Sequence, residues 1–210
     1  MQALIVEWIG TFFLVLVVGL TVIQPGAGAM APLAIGAMLM VMVYAGGPIS
    51  GGHYNPAVTL AVWLRGGCKR KDLLPYIVAQ VLGACVAASV VGVCKGGRPM
   101  ITLDPRGVVP SLIVETLFTF ALAYVVLNVA TVKRTSGNSY FGLAIGMTIM
   151  AALYAAGSIS GGAFNPAVAL GLVLMRLVNL SALWIFLVGN FAGGALAAWV
   201  FGIIHGGKDA

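Results

Sequence analysis

Charge is what this chain has least of. Only 8% of its 210 residues are Asp, Glu, Lys or Arg, whereas a soluble domain carries about a quarter. A chain so composed cannot cover its surface with polar groups, so its solvent is lipid. Cysteine is equally sparse: Cys68, Cys85 and Cys94 make neither a metal-ligand spacing nor an even disulfide set. Cys85 falls inside an apolar run, as a small packing residue does. No basic segment precedes the first apolar run, which carries Glu7; it reads as a retained first helix rather than a cleaved signal peptide. No Ser–His pair, Asp pair or metal cluster falls at helical spacing within the apolar runs. An enzyme is therefore not expected, nor a catalytic residue, metal or cofactor. The net charge of +6 sits in short loops between apolar runs, an orientation signal rather than a nucleic-acid face.

Long apolar runs are abundant. A helix needs about 20 such residues to cross the hydrocarbon core, and four clear spans lie near 3–23, 73–94, 109–131 and 181–204. Two more, near 30–46 and 140–157, run into Gly-rich, faintly polar loops. Each of those loops precedes a run too short to cross, near 55–65 and 165–175. Backbone polar groups in lipid must pair within their own segment, so the fold class is an all-α membrane bundle. Paired short segments at matching places point to broken helices meeting at mid-membrane.

The chain repeats itself. Residues 34–58 read AIGAMLMVMVYAGGPISGGHYNPAV, and residues 144–168 read AIGMTIMAALYAAGSISGGAFNPAV, an offset of 110. Val6-Glu7 and Thr11-Phe12 are answered by Val114-Glu115 and Thr119-Phe120. Gly83 and Ala87-Ala88 are answered by Gly193 and Ala197-Ala198, small residues suited to close helix contact. This is an internal duplication, a single domain over 1–210 with repeats near 1–96 and 109–205. Three full spans per repeat is an odd number, so the repeats are inverted. Arg65, Lys69, Arg70, Lys71, Lys133, Arg134 and Lys208 then share one side, and Lys95, Arg98, Arg106 and Arg176 the other. The richer side is expected to be cytoplasmic, with both termini. Compact size and short loops suggest a prokaryotic inner membrane.

Both short helices open on Asn-Pro-Ala, at Asn55-Pro56-Ala57 and Asn165-Pro166-Ala167. Asn is a good N-cap, and Pro at the first helical position loses no useful N–H. Two inverted half-helices bring their positive dipole ends together, with two Asn amides facing the path. Such a centre opposes cations and interrupts proton hopping while neutral molecules pass. The methionines of the second and fifth spans, such as Met40 and Met150, are packing residues.

Two such motifs, the preceding Ser-Gly-Gly turns and the paired glutamates resemble the aquaporin, or major intrinsic protein, family over essentially the whole chain. The resemblance implies six membrane helices plus two half-helices, a pore in each subunit and a homotetramer. It implies pore-lining carbonyls at Gly51, Gly52, His53, Gly162, Ala163 and Phe164. It also implies that Glu7 and Glu115 hold the loops before the half-helices. A carboxylate in a span could also be a proton relay, but symmetric placement, one per repeat, favours the support role; for His53 a hydrogen-bonded wall position is favoured over a pH gate.

Matched by distance from the motifs, the family's filter falls on Ile35, Leu153, Gly162 and Val168. Most members carry arginine where this chain has Val168, so the filter is wholly apolar in side chains. Such a ring penalises strongly hydrated species. It is expected either to be wide, passing glycerol, ammonia or dissolved gases, or to be occluded by Leu153 and Ile35. The expected function is a passive channel for water or small uncharged solutes. A membrane structural protein with a shut pore stands as the alternative. A coupled transporter is disfavoured because the midplane offers two asparagines and little else.

Overall fold

The computed structural model describes residues 1–96 and 107–206, and Arg98, Arg106 and Lys208 lie outside the described residues. The elements run α1 (Gln2–Val22), α2 (Ala31–Ser50), α3 (Pro56–Leu64), α4 (Arg70–Lys95), α5 (Val108–Ala130), α6 (Phe141–Ser160), α7 (Pro166–Leu174) and α8 (Leu183–His205). Six of these helices are long and apolar enough to cross a membrane. The nine-residue α3 and α7 reach about 14 Å, half of the roughly 30 Å hydrocarbon core. Apolar side chains such as Leu117, Val188 and Trp199 stand exposed on the outside, where lipid rather than water meets them.

Two elements differ from expectation. The second and fifth spans do not stop near 46 and 157; α2 continues through Gly46, Gly47 and Pro48 to Ser50, and α6 to Ser160. Apolar surroundings offer no water to take up freed backbone groups, so a helix that Gly and Pro would end in water continues here. The stop comes from glycine one residue later. Gly51 and Gly161 take φ of 91° and 97°, and their N–H groups close on Gly47 and Gly157 at 2.9 and 3.0 Å. Only glycine holds that left-handed cap without strain. Likewise α4 begins at Arg70, so Arg70, Lys71 and Asp72 form its first turn rather than a loop.

The two sets of elements, α1–α4 and α5–α8, pack in matching fashion, α1 on α4 as α5 on α8, with α2 and α6 between the sets. Helices α2 and α6 cross at Gly36 and Gly146, which occupy equivalent positions. A Cβ on Gly36 would lie 2.7 Å from the Gly146 carbonyl oxygen, and one on Gly146 would lie 2.5 Å from that of Gly36. The same device joins α4 to α1, where a Cβ on Gly83 would meet the Trp8 carbonyl at 2.5 Å. It joins α8 to α5 as well, where a Cβ on Gly193 would meet the Thr116 carbonyl at 2.4 Å. Close backbone approach supplies packing where no hydrophobic driving force separates helix from lipid. Gly146→Ala should cost about 1–3 kcal/mol, because backbone faces the new methyl and cannot step aside. Met147→Ala, on the exposed neighbouring position, is expected to leave the melting temperature in detergent nearly unchanged; an equal drop for both would reject the crossing as the sensitive contact.

Candidate functional site

The two half-helices meet at their N-termini. Asn55 caps α3, its Oδ1 accepting from the Ala57 and Val58 N–H groups at 2.9 and 3.4 Å. Asn165 caps α7 through Ala167 and Val168 at the same two distances. With its oxygen committed, each amide turns its NH2 outward. Asn55 Nδ2 donates across to the Phe164 carbonyl at 2.9 Å, and Asn165 Nδ2 donates back to the Tyr54 carbonyl at 2.8 Å. Each NH2 has two hydrogens, so one in each asparagine remains for a passing molecule. Both asparagines line one cavity.

The chain before each half-helix is held from behind. Glu7 Oε1 accepts from Ser50 Oγ and the His53 N–H at 2.7 and 2.9 Å, and its Oε2 from the Tyr54 N–H and Gln80 Nε2 at 2.7 Å each. Glu115 repeats the pattern: Ser160 Oγ at 2.6 Å, the Ala163 N–H at 3.0 Å, the Phe164 N–H at 2.8 Å and Asn190 Nδ2 at 2.7 Å. Two donors reach each oxygen, and backbone and amide N–H groups cannot accept. Three of the four donors on each carboxylate are N–H groups that can only donate, an arrangement that suits an acceptor holding its loop. The restraint lets the loop hold an uncommon backbone: Gly52 and Gly162 have φ of 62° and 68°, and Tyr54 and Phe164 have φ of 48° and 47°. A left-handed Tyr or Phe is costly and persists only where its surroundings over-determine it.

Sequence reasoning missed Gln80 and Asn190, the fourth donors to the glutamates. Their signal was present, since two amide residues stand 110 apart in otherwise apolar spans. It also missed Tyr54 as an acceptor and Thr59. The Thr59 hydroxyl donates to the Asn55 carbonyl at 3.0 Å and accepts from Gln80 Nε2 at 2.9 Å. Its one hydrogen is thereby spent, so towards His53 Nδ1, 3.2 Å away, it can only accept. This assigns the hydrogen shared with Thr59 to His53 Nδ1.

The cavity holding both asparagines measures about 50 Å³, room for a few water molecules. Ile35, Leu153, Gly162 and Val168 all line it, brought together from α2, α6, the second loop and α7. Gly52, His53 and Ala163 line it too. Gly51 lines instead a polar vestibule of about 430 Å³ with Arg65, Lys69 and Asp72, and His53 borders both spaces. Phe164 is not brought to the cavity: its side chain is fully buried and its carbonyl accepts from Asn55. Among these lining residues, Leu153 Cδ2 lies only 2.7 Å from where a Cβ on Gly162 would stand. The leucine tip occupies the space that a side chain at 162 would take.

The family described as major intrinsic protein matches residues 1–201 of the chain. Aquaporin NIP1-4 of Oryza sativa subsp. japonica is 37% identical over 213 residues, covering 98% of this chain and 77% of its own. Glycerol uptake facilitator protein-like 6 of Lactiplantibacillus plantarum is 34% identical, over 95% of this chain and 96% of its own. The aquaglyceroporin of Plasmodium falciparum shares the fold at a TM-score of 0.75 with 20% identity, covering 95% of this chain and 94% of the other.

Proposed function

Because the chain belongs to the major intrinsic protein family and is a passive membrane channel for water and small solutes, we propose that it conducts small uncharged molecules in single file through an apolar filter of Ile35, Leu153, Gly162 and Val168. The observation that carries this reading is the leucine tip seated over Gly162 in a cavity of about 50 Å³. Water and molecules of its size pass; glycerol meets a steric barrier at Leu153. The free hydrogens of Asn55 and Asn165 and the carbonyls of Gly52, His53, Gly162 and Ala163 replace lost hydration one molecule at a time. The two dipole ends supply the main barrier to cations, since Val168 brings no charge. Glu7 and Glu115 serve as loop supports and His53 as a wall residue at the inner mouth.

No residue is assigned a catalytic role. The remaining expectations extend this reading: one domain of repeats near 1–96 and 109–205, a homotetramer, both termini cytoplasmic, and a prokaryotic inner membrane. Orientation is supported by Arg65, Lys69, Arg70, Lys71, Lys133 and Arg134, against Lys95 and Arg176 on the other side among the described residues.

Stopped-flow light scattering on proteoliposomes tests the proposal. Water flux should exceed that of empty liposomes several-fold, with glycerol much slower. Val168→Arg should lower the residual glycerol flux at least threefold while water flux persists. Water flux no greater than that of empty liposomes, with or without the substitution, would instead support a shut pore and a structural role.

A further inference from the structure

Away from the pore, α1 and α4 enclose a cleft of about 490 Å³ open to the membrane. It is lined by Leu4, Ile5 and Trp8 on one side and Pro75, Val78 and Leu82 on the other. The cleft has a floor: beyond Trp8 the helices touch, because Gly83 brings α4 against the Trp8 carbonyl. It also has a charged rim. Along α4 the lining residues continue a helical stripe that begins at Lys71, four residues before Pro75 and seven before Val78. From Lys71 to Leu82 the stripe rises about 16 Å, close to the ~15 Å depth of one leaflet's hydrocarbon. Arg70 and Lys71 are exposed at the first turn of α4, which has no side-chain cap, whereas Lys69 and Asp72 turn to the inner vestibule. The helix start adds its partial positive charge.

We propose that this cleft is a binding site for one anionic glycerophospholipid, its acyl chain lying between α1 and α4 and its phosphate on Arg70 and Lys71. A cleft without polar lining, closed where α1 and α4 touch at Gly83, suits an acyl chain. Two cations at its rim select the headgroup.

Native mass spectrometry of the full-length protein, with phosphatidylglycerol or phosphatidylcholine of identical chains, tests this. The wild type should retain phosphatidylglycerol at least tenfold over phosphatidylcholine. Replacing Arg70→Gln and Lys71→Gln together should abolish the preference. Val78→Trp, which fills the cleft, should lower retention of both lipids about tenfold without altering water flux; Leu82→Trp serves if that variant fails to fold. Equal retention of the two lipids by wild type, or undiminished phosphatidylglycerol on the filled cleft, overturns the site. So does high-yield disulfide dimerisation of a Leu82→Cys variant in membranes, since a second copy would then occupy the cleft.

Discussion

Glu115→Gln is expected to be among the most damaging single substitutions in this chain, although it changes one atom. The carboxylate accepts four hydrogen bonds, two on each oxygen. A glutamine keeps one oxygen and sets an NH2 against two donors. In one orientation the NH2 meets Ser160 Oγ and the Ala163 N–H; in the other, the Phe164 N–H and Asn190 Nδ2. The serine hydroxyl can rotate to accept, but a backbone N–H cannot. At least one buried donor is orphaned and one faces a like dipole, at about 1–3 kcal/mol each. Glu115→Leu orphans all four and should cost more, roughly 4 kcal/mol or above. Thermal unfolding in detergent checks this, with losses of about 10 °C expected for leucine and somewhat less for glutamine. A proton relay would behave oppositely. Glutamine would then preserve the melting temperature and remove only a pH-dependent flux, and that outcome would sink the support role.

Much of this arrangement was legible before any coordinates. Asn-Pro-Ala set the starts of α3 and α7 because capping is local chemistry: a side-chain oxygen two and three residues before the amides it satisfies. Glu7 and Glu115 stood out because a carboxylate in a span is costly. The ends of α2 and α6 were not legible, since Gly46, Gly47 and Pro48 carry the signals that end a helix in water. The repeats also conceal a compensation. Tyr54 packs where Gly10 and Gly46 leave room, a Cβ on Gly10 falling 2.1 Å from its ring. The equivalent Phe164 instead meets Phe118, ring centres 5.5 Å apart. Gly10 in one half answers Phe118 in the other, so the two aromatics are seated against different neighbours, a relation no single-position comparison reveals. That Ile35, Leu153, Gly162 and Val168 share one cavity followed from their distances to the motifs, but the aperture between them did not. Whether Gly162 leaves an opening depends on which rotamer Leu153 takes, a property of packing rather than of spacing.

That rotamer makes Leu153→Ala the variant with the largest expected gain of transport. Removing the isobutyl tip leaves Gly162, already without a side chain, facing an alanine across the filter. Ile35 and Val168 remain as walls, both nearly fully buried and so unable to swing in and refill the space. The half-helix asparagines, the loop carbonyls and both glutamate hubs are untouched. Glycerol permeability through proteoliposomes should rise at least tenfold, a barrier lowered by about 1.4 kcal/mol, while water flux changes much less. Leu153→Phe should do the reverse and slow water as well. The cation barrier should survive in Leu153→Ala, because the dipole ends of α3 and α7 lie deeper than the filter; current recordings of that variant should remain at the level of the lipid alone. Glycerol flux unchanged by alanine would mean that the restriction lies elsewhere along the path, with His53, which borders both the cavity and the vestibule, the next position to vary. Tenfold faster glycerol with intact ion exclusion would separate the two tasks of the pore, leaving size selection to one leucine and charge rejection to the half-helices.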